Sequence, residues 1–189
     1  GGVFVHFDNI SGKKAEVYVD TEVHNSGKRT RTVAVETVLV DAGDVPVKRV
    51  SQQVKLQAGE SKTVRQQFAV RNPKLWSPDS PYLYRIQSRV KAGHEVLDGG
   101  VTRVGIRKAE FKGKDGFWLN GKPFGQLVGA NRHQDFAYVG NALPNSQQWR
   151  DAKRLRDAGC TIIRVAHYPQ DPAFMDACDE MGLFVIVAT

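Results

Sequence analysis

The periodicity of the chain changes once, near Gly105, and that change restricts the fold more than any single motif does. Before it, apolar residues recur at every second position. In "AEVYVDTEV", Ala15, Val17, Val19, Thr21 and Val23 share one face, and Glu16, Tyr18, Asp20 and Glu22 share the other. Successive side chains of a strand point to opposite sides, so this alternation predicts a half-buried strand. "TVAVETVLV", "VKRVSQQVKL", "SKTVRQQFAV", "YLYRIQSRV" and "HEVLDGGVTRVGI" follow. Turn signals divide them at Asn25-Ser26-Gly27, Asp41 to Asp44, Ala58-Gly59-Glu60, Asn72-Pro73, Pro78 to Pro81 and Ala92-Gly93. Short strands in this number, with no helical pattern between them, predict an all-β immunoglobulin-like sandwich over residues 1–104. The Cys…Trp…Cys spacing of antibody domains is absent.

After Gly105 strands alternate with helices. "DGFWLNGKPF" predicts a hairpin, with Asn120-Gly121 supplying the positive φ angles of a tight turn. "FGQLVGA" reads as a strand. "NSQQWRDAKRLRDAG" reads as a helix, with Trp149, Ala152, Leu155 and Ala158 on one face, Asn145 or Ser146 as the cap and Gly159 at the end. "TIIRVA" is a strand. "DPAFMDACDEMG" is a second helix, capped by Asp171, opened by Pro172 and closed by Gly182, with Phe174, Ala177, Cys178 and Met181 recurring along one stripe. "LFVIVA" is apolar throughout, as for a strand covered on both faces. Residues 105–189 are thus β-α-β-α-β, the first part of an α/β fold with a parallel sheet. No glycine-rich phosphate fingerprint follows a strand, which weakens an open nucleotide-binding sheet. A (β/α)8 barrel would place functional residues just past the strand ends, where "NRH" and "HYP" stand.

Composition narrows the partners. The 189 residues are 41% hydrophobic and 25% charged, with 27 Lys and Arg against 20 Asp and Glu. The basic residues are scattered among acids rather than clustered, so the +7 net charge reads as solvated surface and no nucleic-acid partner is expected. No apolar run reaches the ~20 residues of a membrane span, so no membrane partner is expected either. The start "GGVFVHFDNISGKK" has no signal-peptide pattern. The Gly-Gly start and the end on "FVIVAT" read as cuts in a longer, soluble chain. Cys160 and Cys178 lie outside any metal-binding spacing and read as buried free thiols. The compartment stays open: cytoplasmic, periplasmic or secreted.

One stretch is chemically unusual. "IIRVAHYPQDPAF" places Arg164 inside an apolar strand, and an unpaired guanidinium there is costly to desolvate. This stretch, with "NPKLWSPDSPYLYRIQSRV", "GIRKAEFKGKDGFWLNGKPF" and "GANRHQDF", resembles glycoside hydrolase family 2, which includes β-galactosidases, β-glucuronidases and β-mannosidases. The resemblance is specific over residues 72–187 and rests on strand pattern over residues 1–71. It implies the sandwich domain and the opening of the catalytic (β/α)8 TIM barrel of a retaining exo-glycosidase, with β-galactosides the expected substrates. It also implies two catalytic glutamates beyond Thr189, so no catalytic residue is expected within the chain, which should be inactive alone. Glu110 and Glu180 match neither motif.

The resemblance assigns supporting roles. Arg164 would hold the nucleophile carboxylate ionised through charge-assisted hydrogen bonds. His133 and His167 would contact sugar hydroxyls. Asn131 joins them as a substrate-binding residue within the "NRH" motif, of which Arg132 reads as structural. Metal-using members carry an acidic motif after the third strand. Here Val187 and Thr189 stand at those positions, which argues against a magnesium site, and no cofactor is expected. Trp76, Trp118 and Trp149 read as packing anchors, with Trp76 and Pro78 shaping a corner of the sandwich. His6, His24 and His94 read as strand residues without a site role. A barrel begun but not closed leaves "LFVIV" with a free edge, so self-association through residues 105–189 is expected. The alternative is a non-catalytic carbohydrate-binding or interaction module, which would have no use for an arginine at a barrel strand end.

Overall fold

The computed structural model describes residues 2–187. It divides into two compact units. The first takes the chain up to Lys74 and again Leu83–Ile106; the second takes Leu75–Tyr82 and the chain from Arg107 onward.

Seven strands build the first unit: β1 (Val3–Asp8), β2 (Lys14–His24), β3 (Arg31–Val40), β4 (Pro46–Leu56), β5 (Ser61–Arg71), β6 (Tyr84–Ala92) and β7 (Glu95–Val104). They form two antiparallel sheets, ordered β1-β2-β5 and β4-β3-β6-β7. The expected face of β2 is the buried one, with Ala15, Val17 and Val19 fully buried and Thr21 and Val23 nearly so. Register places Val17 opposite Phe68 and Val19 opposite Gln66. The β3 residues Val35, Thr37 and Leu39 are buried in the same way. Thr37 and Gln66 are polar, and they are bound to each other: Thr37 Oγ1 donates to Gln66 Oε1 at 2.5 Å, and Gln66 Nε2 donates to the Val35 carbonyl at 3.0 Å. β1 is the strand that sequence reading passed over, although Val3, Val5 and Phe7 alternate in it.

The second unit continues with β8 (Ala109–Phe111), β9 (Phe117–Leu119), β10 (Lys122–Gly125), β11 (Gly129–Arg132), α1 (Asn145–Asp157), β12 (Ile162–Val165), α2 (Pro172–Met181) and β13 (Phe184–Val187). β8, β9 and β10 form a small antiparallel sheet. Its tight turn is the Asn120-Gly121 pair, at φ 52° and 80°. β11, β12 and β13 form a parallel sheet in chain order, the opening of a barrel. Between β12 and the two helices lies a core of Ala152, Ile163, Val165, Phe174, Ala177, Cys178 and Leu183. α2 has the expected ends: Asp171 accepts from the Ala173 amide at 2.8 Å, Pro172 opens the helix, and Gly182 closes it at φ 74°.

Three expectations need correction. "FGQLVGA" is not one strand, because pairing with β9 ends at Gly125 (φ 92°) and the parallel strand begins only at Gly129. Asn131 and Arg132 therefore lie within β11, not after it. α1 has no side-chain cap: Asn145 is already helical, and the Pro144 carbonyl receives the Gln147 and Gln148 amides. Trp76 and Pro78 do not shape a corner of the sandwich; they belong to the second unit. Trp76 is 1% exposed, donates from Nε1 to the Asp179 carbonyl at 2.8 Å, and meets Phe184 edge-on at 5.2 Å. An indole with an apolar body and one donor suits such a site, because α2 offers a carbonyl beside the aromatic group of Phe117, Phe124 and Phe184.

Candidate functional site

Strand parity decides which side chains leave the core at the carboxyl end of the parallel sheet. Ile163 and Val165 are fully buried against the helices. Alternation therefore turns Arg164 to the opposite side, the side that a closed barrel would enclose. Parallel register sets Asn131 beside Arg164, and Arg164 beside Ile186. Asn131 is exposed and Arg164 is half-buried.

Arg164 Nη1 lies 3.0 Å from His167 Nδ1. A guanidinium can only donate, so Nδ1 is the acceptor and the imidazole proton sits on Nε2. That leaves His167 Nε2–H as a donor for a ligand oxygen. The ring of His133 meets that of His167 at 5.3 Å, nearly perpendicular, and lies 6.3 Å from Tyr168. Both histidines are exposed. The structure thus brings Arg164, His167 and His133 together, with Asn131 in the neighbouring register position. Among the described residues Arg164 has no carboxylate partner; Glu110 of β8 pairs with Lys108, just before the strand, at 2.9 Å, and Glu180 lies in α2.

Arg132 takes the other parity. It is 6% exposed, with its guanidinium 4.0 Å above the Phe174 ring. It donates to Gln170 Oε1 at 2.5 Å and to Gln148 Oε1 and Asp151 Oδ2 at 2.8 Å. Sequence reading took Arg132 as structural but missed its partners. The available signal was the pair Gln147-Gln148, polar residues in the first turn of α1 that are both buried. Tyr168 and Gln134 were missed as well; the Gln134 amide donates to Tyr168 Oη at 2.9 Å.

No group of three or more His, Cys, Asp or Glu that could hold a metal ion occurs among the described residues. Val187 is 46% exposed at the end of β13, and Thr189 lies outside the described residues. Cys160 and Cys178 are both free, and burial pushes the Cys178 thiol up to about 12, which makes it a core residue rather than a nucleophile. A cavity of about 740 Å³ opens on the sandwich, bordered by His24, Lys28, Arg29 and Arg31 over Val33 and Leu56. It shares no residue with the cluster at the strand ends. No helix among the described residues is long and apolar enough to cross a membrane.

Residues 2–107 match the model for glycosyl hydrolases family 2, and residues 110–189 match the TIM barrel domain of the same family. A β-galactosidase of Thermoanaerobacter pseudethanolicus is 36% identical over 184 residues, covering 97% of this chain and 24% of that protein. The crystal structure of a family 2 glycosyl hydrolase from Bacteroides cellulosilyticus superposes with a TM-score of 0.95 at 34% identity, covering 100% of this chain and 26% of that one. A β-glucuronidase from Bacteroides uniformis superposes with a TM-score of 0.91 at 30% identity, covering 97% and 22%. The chain therefore spans about a quarter of the length of the relatives it matches.

Proposed function

Because the chain belongs to glycosyl hydrolases family 2, we propose that it is a segment of a retaining exo-glycosidase that removes terminal β-linked sugars, β-galactosides foremost. The observation that carries this reading is Arg164, a cation at a strand end whose partner among the described residues is a neutral histidine nitrogen. Retaining hydrolysis uses two carboxyl groups about 5 Å apart, one as nucleophile and one as acid/base. A nucleophile carboxylate reaching Arg164 from another strand would be held ionised by charge-assisted hydrogen bonds. His167, protonated on Nε2, and His133 would donate to sugar hydroxyls. Asn131, in the adjacent row, would contact the same ring. β-Galactosides come first because one 36% identical relative is a β-galactosidase; a relative named "Putative beta-glucuronidase" is also 36% identical, which makes a glucuronide the substrate to compare.

The 189-residue chain by itself should not turn over glycosides. Its arginine and histidines supply hydrogen bonds, but none can replace the carboxylate that forms and releases a glycosyl ester. The assay is hydrolysis of nitrophenyl β-galactoside, β-glucuronide and β-mannoside by the chain and by the complete protein. The complete protein should cleave the galactoside with the highest kcat/KM, and the chain should cleave none. Turnover by the chain that persists through repurification would overturn the assignment of roles. We also propose that the chain alone self-associates through its second unit, since Ile186 and Val187 on β13 are 49% and 46% exposed. A concentration-independent monomer in light scattering would refute this.

A further inference from the structure

We propose that Arg132 is a positioning residue that joins the two loops bearing the histidines, so that His133 and His167 hold one geometry. This rests on the sugar-binding role proposed for those histidines. His133 is the next residue after Arg132, and His167 stands three before Gln170. The two loops are tied by reciprocal bonds: Arg132 Nη1 donates to Gln170 Oε1 at 2.5 Å, and Gln170 Nε2 donates back to the Arg132 carbonyl at 2.5 Å. The same carbonyl accepts the Ala166 amide at 2.9 Å, the residue before His167. Two further ties run alongside. Tyr168 Oη accepts the Gln134 amide at 2.9 Å, and Gln134 Oε1 accepts the Asp171 amide at 2.8 Å. Every residue from Arg132 to Gln134 thus has a counterpart between Ala166 and Asp171, with the His133–His167 ring contact in the middle.

Arg132 anchors this strip to the helix layer. Its Nη2 reaches Gln148 and Asp151 on α1, and its guanidinium plane covers Phe174 on α2. Asp151 is held in turn by Gln147 Nε2 at 2.8 Å. A planar fork with several donors can meet three acceptors and one ring face at once; an ammonium cannot. The helices thereby fix the loops, and the loops fix the rings. Displacing a substrate-contacting group by about 1 Å is enough to lower turnover about 100-fold.

The test uses Arg132→Lys, Gln170→Glu and, as a control for general loosening of the same core, Leu183→Val. Gln170→Glu keeps an acceptor for Arg132 but removes the donor to its carbonyl. In the 189-residue chain the imidazole carbon-bound proton resonances of His133 and His167 are followed by NMR. Arg132→Lys and Gln170→Glu should shift both histidines, and Leu183→Val should shift neither. In the complete protein the first two should lower kcat/KM by about 10- to 100-fold, mainly through kcat, while Leu183→Val leaves it unchanged at temperatures below unfolding. Unmoved histidine resonances in both loop variants would overturn the proposal, as would an activity loss equalled by Leu183→Val. Should Arg132→Lys fail to fold, Gln170→Glu decides alone, since it leaves the Gln148 and Asp151 contacts intact. If the complete protein cleaves no glycoside, the proposed function fails while the resonances still decide the role of Arg132.

Discussion

Each unit places a charge inside a largely apolar strand, and the two charges are treated differently. In the sandwich, Glu36 of β3 is 8% exposed and surrounded by cations from the neighbouring strands: Lys91 at 3.0 Å, Arg49 at 3.1 Å and Arg89 at 3.8 Å. In the second unit, Arg164 of β12 has a histidine nitrogen as its partner among the described residues. Removing a charge from water is tolerated when opposite charges and hydrogen bonds replace the lost solvent. Glu36 meets that condition with cations of its own sheet, Arg49 Nη1 donating to its Oε2 at 3.1 Å. Among the described residues Arg164 does not meet it with a carboxylate, which is why it carries a functional reading and Glu36 does not. A charged residue in a strand is thus informative only together with what faces it.

The largest effect that separates the two units should come from Gly129→Ala. A Cβ at Gly129 would stand 1.6 Å from the Ile162 carbonyl oxygen, a backbone atom of the paired strand. The strands must part, at the upper end of overpacking costs, about 3 kcal/mol. Amide hydrogen exchange should show the second unit losing protection while β2, β3, β5 and β6 keep theirs. Equal loss in both units would show that they do not unfold separately.

Arg164→Ala should do the reverse of a structural defect. In the complete protein it should lower kcat by about 100-fold, near 2.7 kcal/mol, the effect of removing one preorganised electrostatic contact. The folded fraction should be unchanged, because the side chain is half-buried and lies outside the Ile163–Val165 core. Wild-type kinetics in the folded variant would remove Arg164 from the site.

How far these roles could be read in advance depended on whether the signal was local. Strand alternation in β2, the Asn120-Gly121 turn and the Asp171-Pro172…Gly182 punctuation of α2 are local, and the structure has all of them. Arg164 stood out because its neighbours are apolar. Arg132 did not reveal its partners, since Gln148, Asp151 and Gln170 lie 16 to 38 positions away and meet it only through the fold. Trp76 was misplaced for the same reason: its hydrogen bond to Asp179 spans 103 positions. The capping of α1 by Pro144 was missed because Asn145 and Ser146 offered a familiar alternative, which the backbone of Pro144 pre-empts.

Thr37→Val tests the polar bridge inside the sandwich. It removes a hydroxyl of similar shape and leaves Gln66 Oε1 buried without its 2.5 Å donor. Leaving a buried acceptor unpaired costs about 1–3 kcal/mol. The loss should appear in hydrogen exchange of the sandwich strands and leave kcat of the complete protein unchanged. A change in kcat without a change in sandwich stability would contradict the separation of roles drawn from Glu36 and Arg164.

The smallest effect is that of Glu36→Gln, and its pH dependence gives it a sign. The hydrogen bond from Lys91 and the charges of Lys91 and Arg49 hold the Glu36 carboxyl below its ordinary range, against the opposing effect of burial. A carboxyl whose folded pKa is depressed adds stability above its unfolded pKa, about 4.3, and loses it as pH falls through the folded value. Wild type should therefore exceed Glu36→Gln in stability from pH 7 down to about pH 5. The difference should then close as the solution is acidified further. Glu16, Asp20 and Glu60, whose pKa values are also lowered by neighbouring groups, remain in both proteins and cancel in the comparison. Arg49 and Arg89 are 58% and 44% exposed, so solvent screens much of their share and added salt should shrink the neutral-pH difference. A difference that stays constant from pH 7 to pH 3 would mean that ionisation of the Glu36 carboxyl does not carry its effect, since glutamine keeps both methylenes, and the contrast with Arg164 would no longer be one of charge.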